Sequence, residues 1–195
     1  MQSIEYQYYY SGPLLFKTKL LDKDLDKLNA ITNSNIDYRD KLAADMSTEE
    51  YQLDRLFFQE IVEPYLQTFK QAYLHWYGKE CKDLKTVSAW INKMKAHSYN
   101  PPHIHTNCKF SSVIFMNDLS EELLQETKDY KGTHGGGPAS LNFLFGINKN
   151  ETFIEQYNYL PKKGDYFIFP ALLTHYVFPY KTNFTRISLA ANYDF

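Results

Sequence analysis

Three histidines and an arginine are the residues of this 195-residue chain whose types and spacing could bind a metal and an anion. His103 and His105 stand one residue apart, just before an apolar run. Side chains two positions apart share a face of an extended strand, so both imidazoles can reach one ion. His175 begins another apolar segment, where a returning strand would bring it beside the pair. Three nitrogens on one side of a metal leave positions open for other ligands.

The arginine lies on the last apolar segment, TRISLAAN, where Arg186 and Ser188 share a face. A guanidinium inside a sheet structure is costly unless it meets an anion. A guanidinium beside a hydroxyl is well suited to bind a ligand carboxylate through two hydrogen bonds. A structural salt bridge to one of the chain's own carboxylates is the alternative explanation for Arg186.

Most candidate elements after Gly78 are short strands separated by turns that contain Gly, Pro and Asn. Many short strands with such turns favour a sandwich, jelly roll or barrel over a parallel α/β sheet. The predicted strands are 86–97, 109–117, 139–146, 152–158, 164–169, 174–179 and 185–194.

The first part of the chain predicts mixed structure. Two short strands are expected on either side of a break at 11–13, followed by a charged helix within 22–31. A long helix is expected to begin with a capping box at Ser47 and to end at Gly78, with a kink or break at Pro64. Its predicted apolar stripe is Phe58, Ile61, Val62, Tyr65, Phe69, Tyr73 and Trp76. We expect a single domain, with 1–84 as an α+β buttress for a core formed by 85–195.

Residues 119–138 read as one long irregular connection, which we expect to cover the site. Its three glycines, 135–137, lack the Lys and Ser or Thr of a phosphate loop, so nucleotide binding is not expected. The remaining histidines receive minor roles. We expect His75 to lie on the surface or in packing, His97 to face solvent, and His134 to belong to the connection.

Charge and cysteine content narrow the function classes. The net charge is -2, with 23% charged residues, so neither nucleic acid nor an anionic membrane is an expected partner. The two cysteines show no pairing signal and read as reduced thiols. No leader and no apolar run of membrane-spanning length is recognisable, so a cytoplasmic location is expected.

Four motifs in this order resemble the Fe(II) and 2-oxoglutarate-dependent oxygenase superfamily. They are W-x-N at 90–92, N-P-x-H-x-H at 100–105, F-P-x-x-x-x-H at 169–175 and R-I-S at 186–188. Within the superfamily the combination is similar to a group of oxygenases many of which are phage-encoded. The resemblance covers residues 86–195 and only loosely the part before them.

The resemblance implies a double-stranded β-helix, that is, a cupin-like jelly roll with flanking N-terminal helices. It implies a dioxygenase that uses Fe(II), dioxygen and 2-oxoglutarate, and that hydroxylates a C–H bond while 2-oxoglutarate is decarboxylated to succinate. The implied iron ligands are His103, His105 and His175. Arg186, assisted by Ser188, would bind the distal carboxylate of 2-oxoglutarate, and Asn92 is a weaker candidate for its other end. The primary substrate would be a small molecule or a protein side chain.

Two positions depart from the pattern of the superfamily. His105 stands where a carboxylate is usual, and Phe115 stands where a tyrosine often contacts 2-oxoglutarate. A three-histidine dioxygenase that needs no 2-oxoglutarate is therefore one alternative, and a non-catalytic jelly roll that holds zinc or no metal is another. In a third, His105 lies beside the metal and an acidic side chain from elsewhere completes the site.

Overall fold

The computed structural model describes residues 12–31, 49–132, 136–145 and 156–195. Over this part of the chain the backbone forms ten strands and three helices. The strands are β1 (Phe16–Lys19), β2 (Glu49–Gln52), β3 (Lys85–Met94), β4 (Asn100–His103), β5 (Phe110–Phe115), β6 (Leu141–Leu144), β7 (Gln156–Tyr159), β8 (Asp165–Pro170), β9 (Thr174–Val177) and β10 (Arg186–Asp194). The helices are α1 (Asp22–Ala30), α2 (Arg55–Tyr77) and α3 (Glu121–Asp129).

The strands form two antiparallel sheets. The major sheet has the order β1-β8-β5-β10-β3-β2, and the minor sheet has the order β4-β9-β6-β7. Strand β10 lies inside the major sheet, between β3 and β5. The predicted jelly roll with flanking helices is thus confirmed. Strand β1 corresponds to the second predicted N-terminal strand, whereas the first lies outside the described residues, as do 152–155 of the strand predicted at 152–158.

Each face of the major sheet buries its own apolar core. Because side chains alternate along a strand, one face of β10 presents Leu189 and Ala191 to a core that includes the buried residues of α1 and α2. The opposite face belongs to a second core, shared with Phe143 of β6 and Val177 of β9 in the minor sheet. We call this second side the inner face. The division of the chain at residue 84 stays a prediction, although β1 and β2 both pair with strands of the major sheet.

Helix α2 begins later than the capping-box pattern predicts. Residues 49–52 pair with β3 as strand β2, and Asp54 caps the helix by accepting hydrogen bonds from the N–H groups of Leu56 (2.9 Å) and Phe57 (3.2 Å). The helix then continues through Pro64 without a break, contrary to one of the two predicted outcomes. Trp76 was expected in the buried stripe but is 38% exposed, because the last turn of α2, which also includes Leu74 and Tyr77, is open to solvent. No helix among the described residues is long and apolar enough to cross a membrane.

The connection predicted to be irregular contains α3. Ser120 caps this helix by accepting a hydrogen bond from the N–H of Leu123, and Leu123 is fully buried. The carboxylate of Glu126 accepts hydrogen bonds from the backbone N–H groups of Lys181 and Thr182 and from the Thr182 hydroxyl. This segment is therefore in part a helix docked against the chain that leads into β10. His134 lies outside the described residues.

Candidate metal centre

The predicted histidines meet at one end of the minor sheet. His103 is the last residue of β4 and lies opposite His175 of β9 in the strand register. His105 follows β4, and its N–H donates a hydrogen bond to the carbonyl of Ala171 (2.9 Å), which fixes its backbone beside the turn that precedes β9. One ring nitrogen from each histidine lies within 4.8 Å of those of the other two. The Nε2 atoms of His105 and His175 are 3.3 Å apart.

The distance between the Nε2 atoms of His105 and His175 fits a single ion. Two nitrogens bound at about 2.1 Å to one metal lie about 3.0 to 3.4 Å apart for angles between octahedral and tetrahedral. Nδ1 of His103 lies 2.7 Å from the carbonyl of Pro101, and Nδ1 of His175 lies 2.9 Å from the carbonyl of Leu173. A ring nitrogen that donates to a carbonyl carries the proton, so Nε2 of each ring keeps its lone pair for a metal.

Burial keeps the three imidazoles neutral. Burial, with the neighbouring His103 as a smaller cause, lowers the pKa of His105 to about 4. Burial also lowers the pKa of His175 well below its ordinary value, with further contributions from His103 and His105. The pKa of His103 is lowered by burial despite its hydrogen bond to Pro101. At neutral pH all three imidazoles are therefore uncharged nitrogen donors, the form that a metal requires.

No acidic side chain among the described residues joins the three histidines in a group that could hold a metal. The alternative in which a carboxylate from elsewhere completes the site thus receives no support from this part of the chain. Aromatic rings surround the histidines instead. The ring of Phe169 lies 4.7 Å from that of His175, and the ring of Trp90 lies 5.8 Å from that of His105.

Arg186 is buried on the inner face of β10 and is 3% exposed. It forms no ion pair with any described carboxylate, so the salt-bridge explanation finds no partner there. Its Nε has no hydrogen-bond partner, and its Nη1 lies 4.0 Å from the sulfur of Met94. The guanidinium carbon lies 4.7 Å from the ring centre of Phe115. Burial lowers the pKa of Arg186 to about 10, so the group remains a cation at neutral pH.

The other two candidate residues lie next to Arg186. Ser188 is buried on the same face of β10, two residues further along. Asn92 of β3 is directly opposite Ser188 in the register. The six residues proposed from the sequence thus form two groups, three histidines at one end of the sheets and Arg186, Ser188 and Asn92 along the inner face. His75 and His97 are exposed and belong to neither group.

Tyr180 is a residue that the sequence reasoning missed. Its buried hydroxyl accepts a hydrogen bond from the N–H of Arg186 (3.3 Å) and donates one to the carbonyl of Met94. It therefore holds together the ends of β10 and β3 beside the guanidinium. Nothing in the sequence distinguishes Tyr180 from the other residues of its type, of which the chain has 17 in all.

Solved structures with this architecture include two prolyl hydroxylases and an α-ketoglutarate-dependent epimerase. A prolyl-4-hydroxylase from Pseudomonas putida is 14% identical, with a TM-score of 0.55 over 92% of this chain and 91% of that one. The viral collagen prolyl hydroxylase of Paramecium bursaria Chlorella virus-1, in its 2-oxoglutarate complex, is 13% identical, with a TM-score of 0.54 over 92% and 94%. SnoN, a non-heme α-ketoglutarate-dependent epimerase from nogalamycin biosynthesis, is 10% identical, with a TM-score of 0.58 over 92% and 78%. At these identities the likeness shows the fold alone.

Sequence comparison identifies the family directly. No curated protein matches the chain. A family model described as "Putative 2OG-Fe(II) oxygenase" matches residues 88–192, which is more than half of the chain. The matched range runs from β3 to β10 and contains both groups of candidate residues. The chain therefore belongs to the 2OG-Fe(II) oxygenase family, whose cofactor is Fe(II) and whose cosubstrate is 2-oxoglutarate.

Proposed function

We propose that the protein is a hydroxylase within this family, which inserts one oxygen atom into a C–H bond of a small molecule or a protein side chain. His103, His105 and His175 bind the iron. Arg186, assisted by Ser188, binds the distal carboxylate of 2-oxoglutarate, and Asn92 contacts the other end. Neither nucleic acid nor a membrane is proposed as a partner.

Arg186 is the observation that carries the proposal. A buried guanidinium without an anion loses its hydration and has no opposite charge to compensate for it, which costs several kcal/mol in real proteins. The family's cosubstrate supplies two carboxylates, and Arg186 lies on the inner face, the side of the major sheet that packs against the minor sheet with its histidines. A carboxylate at Arg186 would satisfy the unpartnered Nε and would pair the charge.

The residues of the chain have separable tasks in this proposal. When bound, the iron would supply the redox chemistry by which dioxygen oxidises 2-oxoglutarate to succinate and carbon dioxide, with one oxygen atom going to succinate and the other to the substrate C–H bond. Phe115 packs against the guanidinium and restricts its orientation. Tyr180 fixes the backbone of Arg186. Phe169 and Trp90 exclude water from the side of the histidines that they cover, which strengthens electrostatic contacts there.

Binding of iron and 2-oxoglutarate is tested by anaerobic titration. Fe(II) added to the metal-free protein with 2-oxoglutarate is expected to give the charge-transfer absorption of the chelate, and succinate is expected to form in air. Arg186→Gln should weaken 2-oxoglutarate binding by about 100-fold or more, because hydrogen bonds to charged groups contribute about 1.5–3 kcal/mol each. Arg55→Gln is the matched control, since Arg55 is exposed at the start of α2.

The absence of both absorption and succinate in the wild type would contradict the proposal. Iron binding without any effect of 2-oxoglutarate would favour the three-histidine dioxygenase that needs no cosubstrate. Zinc bound tightly in the protein as purified without a chelator or a histidine tag, with no iron-dependent turnover, would favour the non-catalytic jelly roll.

The reaction type needs its own test, because the family match does not specify it. The protein is incubated with a fractionated cell extract, iron and 2-oxoglutarate under ¹⁸O₂, and products are compared by mass spectrometry. A hydroxylase is expected to add one labelled oxygen atom to a product that requires 2-oxoglutarate. A product that differs from its substrate but has gained no oxygen, as in epimerisation or desaturation, would contradict the hydroxylase assignment.

A further inference from the structure

Strand β10 carries a second unpartnered buried group besides Arg186. Among the described residues, three buried side-chain atoms lack a hydrogen-bond partner: Asn158 Oδ1, Arg186 Nε and Asn192 Oδ1. Arg186 and Asn192 are six positions apart on β10, and side chains an even number of positions apart share a face of a strand. Both therefore belong to the inner face, with a free donor near one end and a free acceptor near the other.

The register places Asn192 at the histidine end of that face. Asn192 lies opposite Ser111 of β5, and Ser111 lies opposite Phe169 of β8. The Phe169 ring lies 4.7 Å from the ring of His175. Asn192 is thus two strands away from a residue that contacts the histidines.

The pairing of β10 with β3, its neighbour on the other side, places Asn192 at the same end of the inner face. Asn192 lies opposite Ser88 of β3, two residues before Trp90, and the Trp90 ring lies 5.8 Å from that of His105. The pairing of β3 with β10 shifts by one residue immediately after Asn192, between Asn192 and Tyr193. Such bulges are over-represented next to active sites, where they redirect side chains.

The two ends of the face then serve different ligands. In the proposed function 2-oxoglutarate occupies the space between the histidines and Arg186, alongside Ser188. Asn192 lies beyond Ala190, which is opposite Trp90 in the register, and so it lies on the side away from Arg186. That side remains for the primary substrate.

The side chains that lie beside Asn192 on the neighbouring strands define the chemistry that this end of the inner face would recognise. Ser88, Asn192, Ser111 and Phe169 carry no charge, and the first three are small and polar. A buried carbonyl oxygen with no partner costs about 1–3 kcal/mol, and native structures rarely leave such a group without a reason. It repels a carboxylate or a phosphate and favours a neutral hydrogen-bond donor.

We propose that Asn192 is a substrate-binding residue whose side-chain oxygen accepts a hydrogen bond from a neutral N–H or O–H of the primary substrate, with an amide N–H as the donor we favour. The subsite consists of Asn192 flanked by Ser88 and Ser111. The inference rests on the proposed function for the identity of the active site. It adds to that function the chemical class of the group that enters.

A pair of small amides tests the proposal without knowledge of the substrate. ¹⁵N-labelled protein loaded with Zn(II) is titrated with N-methylacetamide, which has one N–H, and with N,N-dimethylacetamide, which has none. We expect N-methylacetamide to perturb the Asn192 side-chain amide signals and to bind about tenfold more tightly than its dimethyl analogue, since one buried hydrogen bond contributes about 1.4 kcal/mol. Asn192→Leu should abolish the difference between the two amides.

Asn158→Leu is the matched control. The side-chain oxygen of Asn158 is also buried and unpartnered. Asn158 pairs with Asn142, however, on the face of the minor sheet that points away from the core holding Leu141 and Phe143. We expect this variant to retain the preference for N-methylacetamide. Asn192→Leu should also unfold at a temperature no lower than the wild type, because it removes a buried group that has no partner. A large loss of stability would instead indicate a structural role for Asn192 and would overturn the proposal.

The titrations are run with and without 2-oxoglutarate, whose own binding is followed by its NMR signals. If 2-oxoglutarate does not bind, the proposed function fails whatever the amides do. If 2-oxoglutarate binds but the protein binds neither amide, binds both equally, or keeps its preference in Asn192→Leu, the Asn192 subsite is overturned and the proposed function stands.

Discussion

The Nε2 atoms of His105 and His175 lie 3.3 Å apart, although the two residues are 70 positions apart in the chain. Each is a neutral nitrogen donor at neutral pH, and His103 completes the group. We predict that His103→Ala, His105→Ala and His175→Ala each weaken Fe(II) binding by more than about 100-fold, beyond the 10–100-fold typical when only a hydrogen-bond partner of a ligand is lost. Fe(II) affinity is measured anaerobically by competition with a chelating indicator.

His75→Ala is the control for these variants, because His75 is exposed on α2, away from the site. It should bind Fe(II) as the wild type does. If His105→Ala retained wild-type affinity while the other two lost it, His105 would not be a ligand, and the two-histidine alternative with a carboxylate from elsewhere would regain support.

The charge of the ligand set leads to a second prediction. His105→Asp introduces one negative charge beside the dication, which should tighten Fe(II) binding by at least about tenfold, or ~1.4 kcal/mol. His105→Asn supplies a side chain of the same size without the charge and should bind Fe(II) more weakly than the wild type. Equal affinities of the Asp and Asn variants would show that charge at this position does not govern the binding of iron.

Phe115 is predicted to contribute to cosubstrate binding through the guanidinium that it covers. Phe115→Leu removes the aromatic face that lies 4.7 Å from the Arg186 guanidinium carbon. A desolvated cation–π contact contributes about 0.5–2 kcal/mol, so KM for 2-oxoglutarate should rise by about 2- to 30-fold. Phe110→Leu, on the same strand but on the face towards α2, loses similar volume and should lower stability with little change in KM. The reverse pattern would contradict the role of Phe115.

Glu126 provides a prediction about acid stability. Partial burial opposes its ionisation, but hydrogen bonds from the Thr182 hydroxyl and from the N–H groups of Lys181 and Thr182 outweigh this and lower its pKa below the ordinary value of 4.5. A carboxyl with a depressed folded-state pKa stabilises the protein above its unfolded pKa, and this stability is lost as the pH falls through the folded value. Glu126→Gln should therefore cost about 1 kcal/mol at neutral pH, since the carboxylate is largely solvated.

The difference between Glu126→Gln and the wild type should disappear as the pH falls through the lowered pKa of Glu126, as measured by urea unfolding across the pH range. Glu60→Gln, at an exposed position of α2, controls for the loss of one surface charge. A gap that persists unchanged in acid would show that the Gln side chain disturbs the docking of α3 by its shape and not through the lost charge.

Sequence patterns predicted the elements whose signal is local. The strands of the major sheet other than β2 follow from aromatic and β-branched runs between turns, and the site residues follow from the spacing of His103 and His105 and from the motifs around His175 and Arg186. The roles of these residues stay predictions, but the structure brings the three histidines together as expected.

The misassigned elements depend on partners distant in the chain. Strand β2 carries a helical capping signal at 47–50, yet 49–52 pair with the open edge of β3, which no local pattern reveals. Strand β4 contains Pro101 and Pro102, which read as a loop because proline cannot donate to a sheet; an edge strand tolerates them, and β4 is an edge of the minor sheet. Helix α3 is held by Glu126, whose hydrogen-bond partners lie 55 and 56 positions away.

Both faces of strand β10 pack against other parts of the protein. Its side chains alternate between the core beneath α2, which holds Leu189 and Ala191, and the inner face, which carries Arg186, Ser188 and Asn192. If a substitution leaves a cavity on one face and the backbone of β10 shifts to fill it, the side chains on the other face must move as well. Across a library of substitutions in the helix-side core, unfolding free energy and 2-oxoglutarate affinity should therefore decline together. Substitutions at the C-terminal end of β10 should therefore be tolerated better, as substrate scope varies, than substitutions in the core beneath α2.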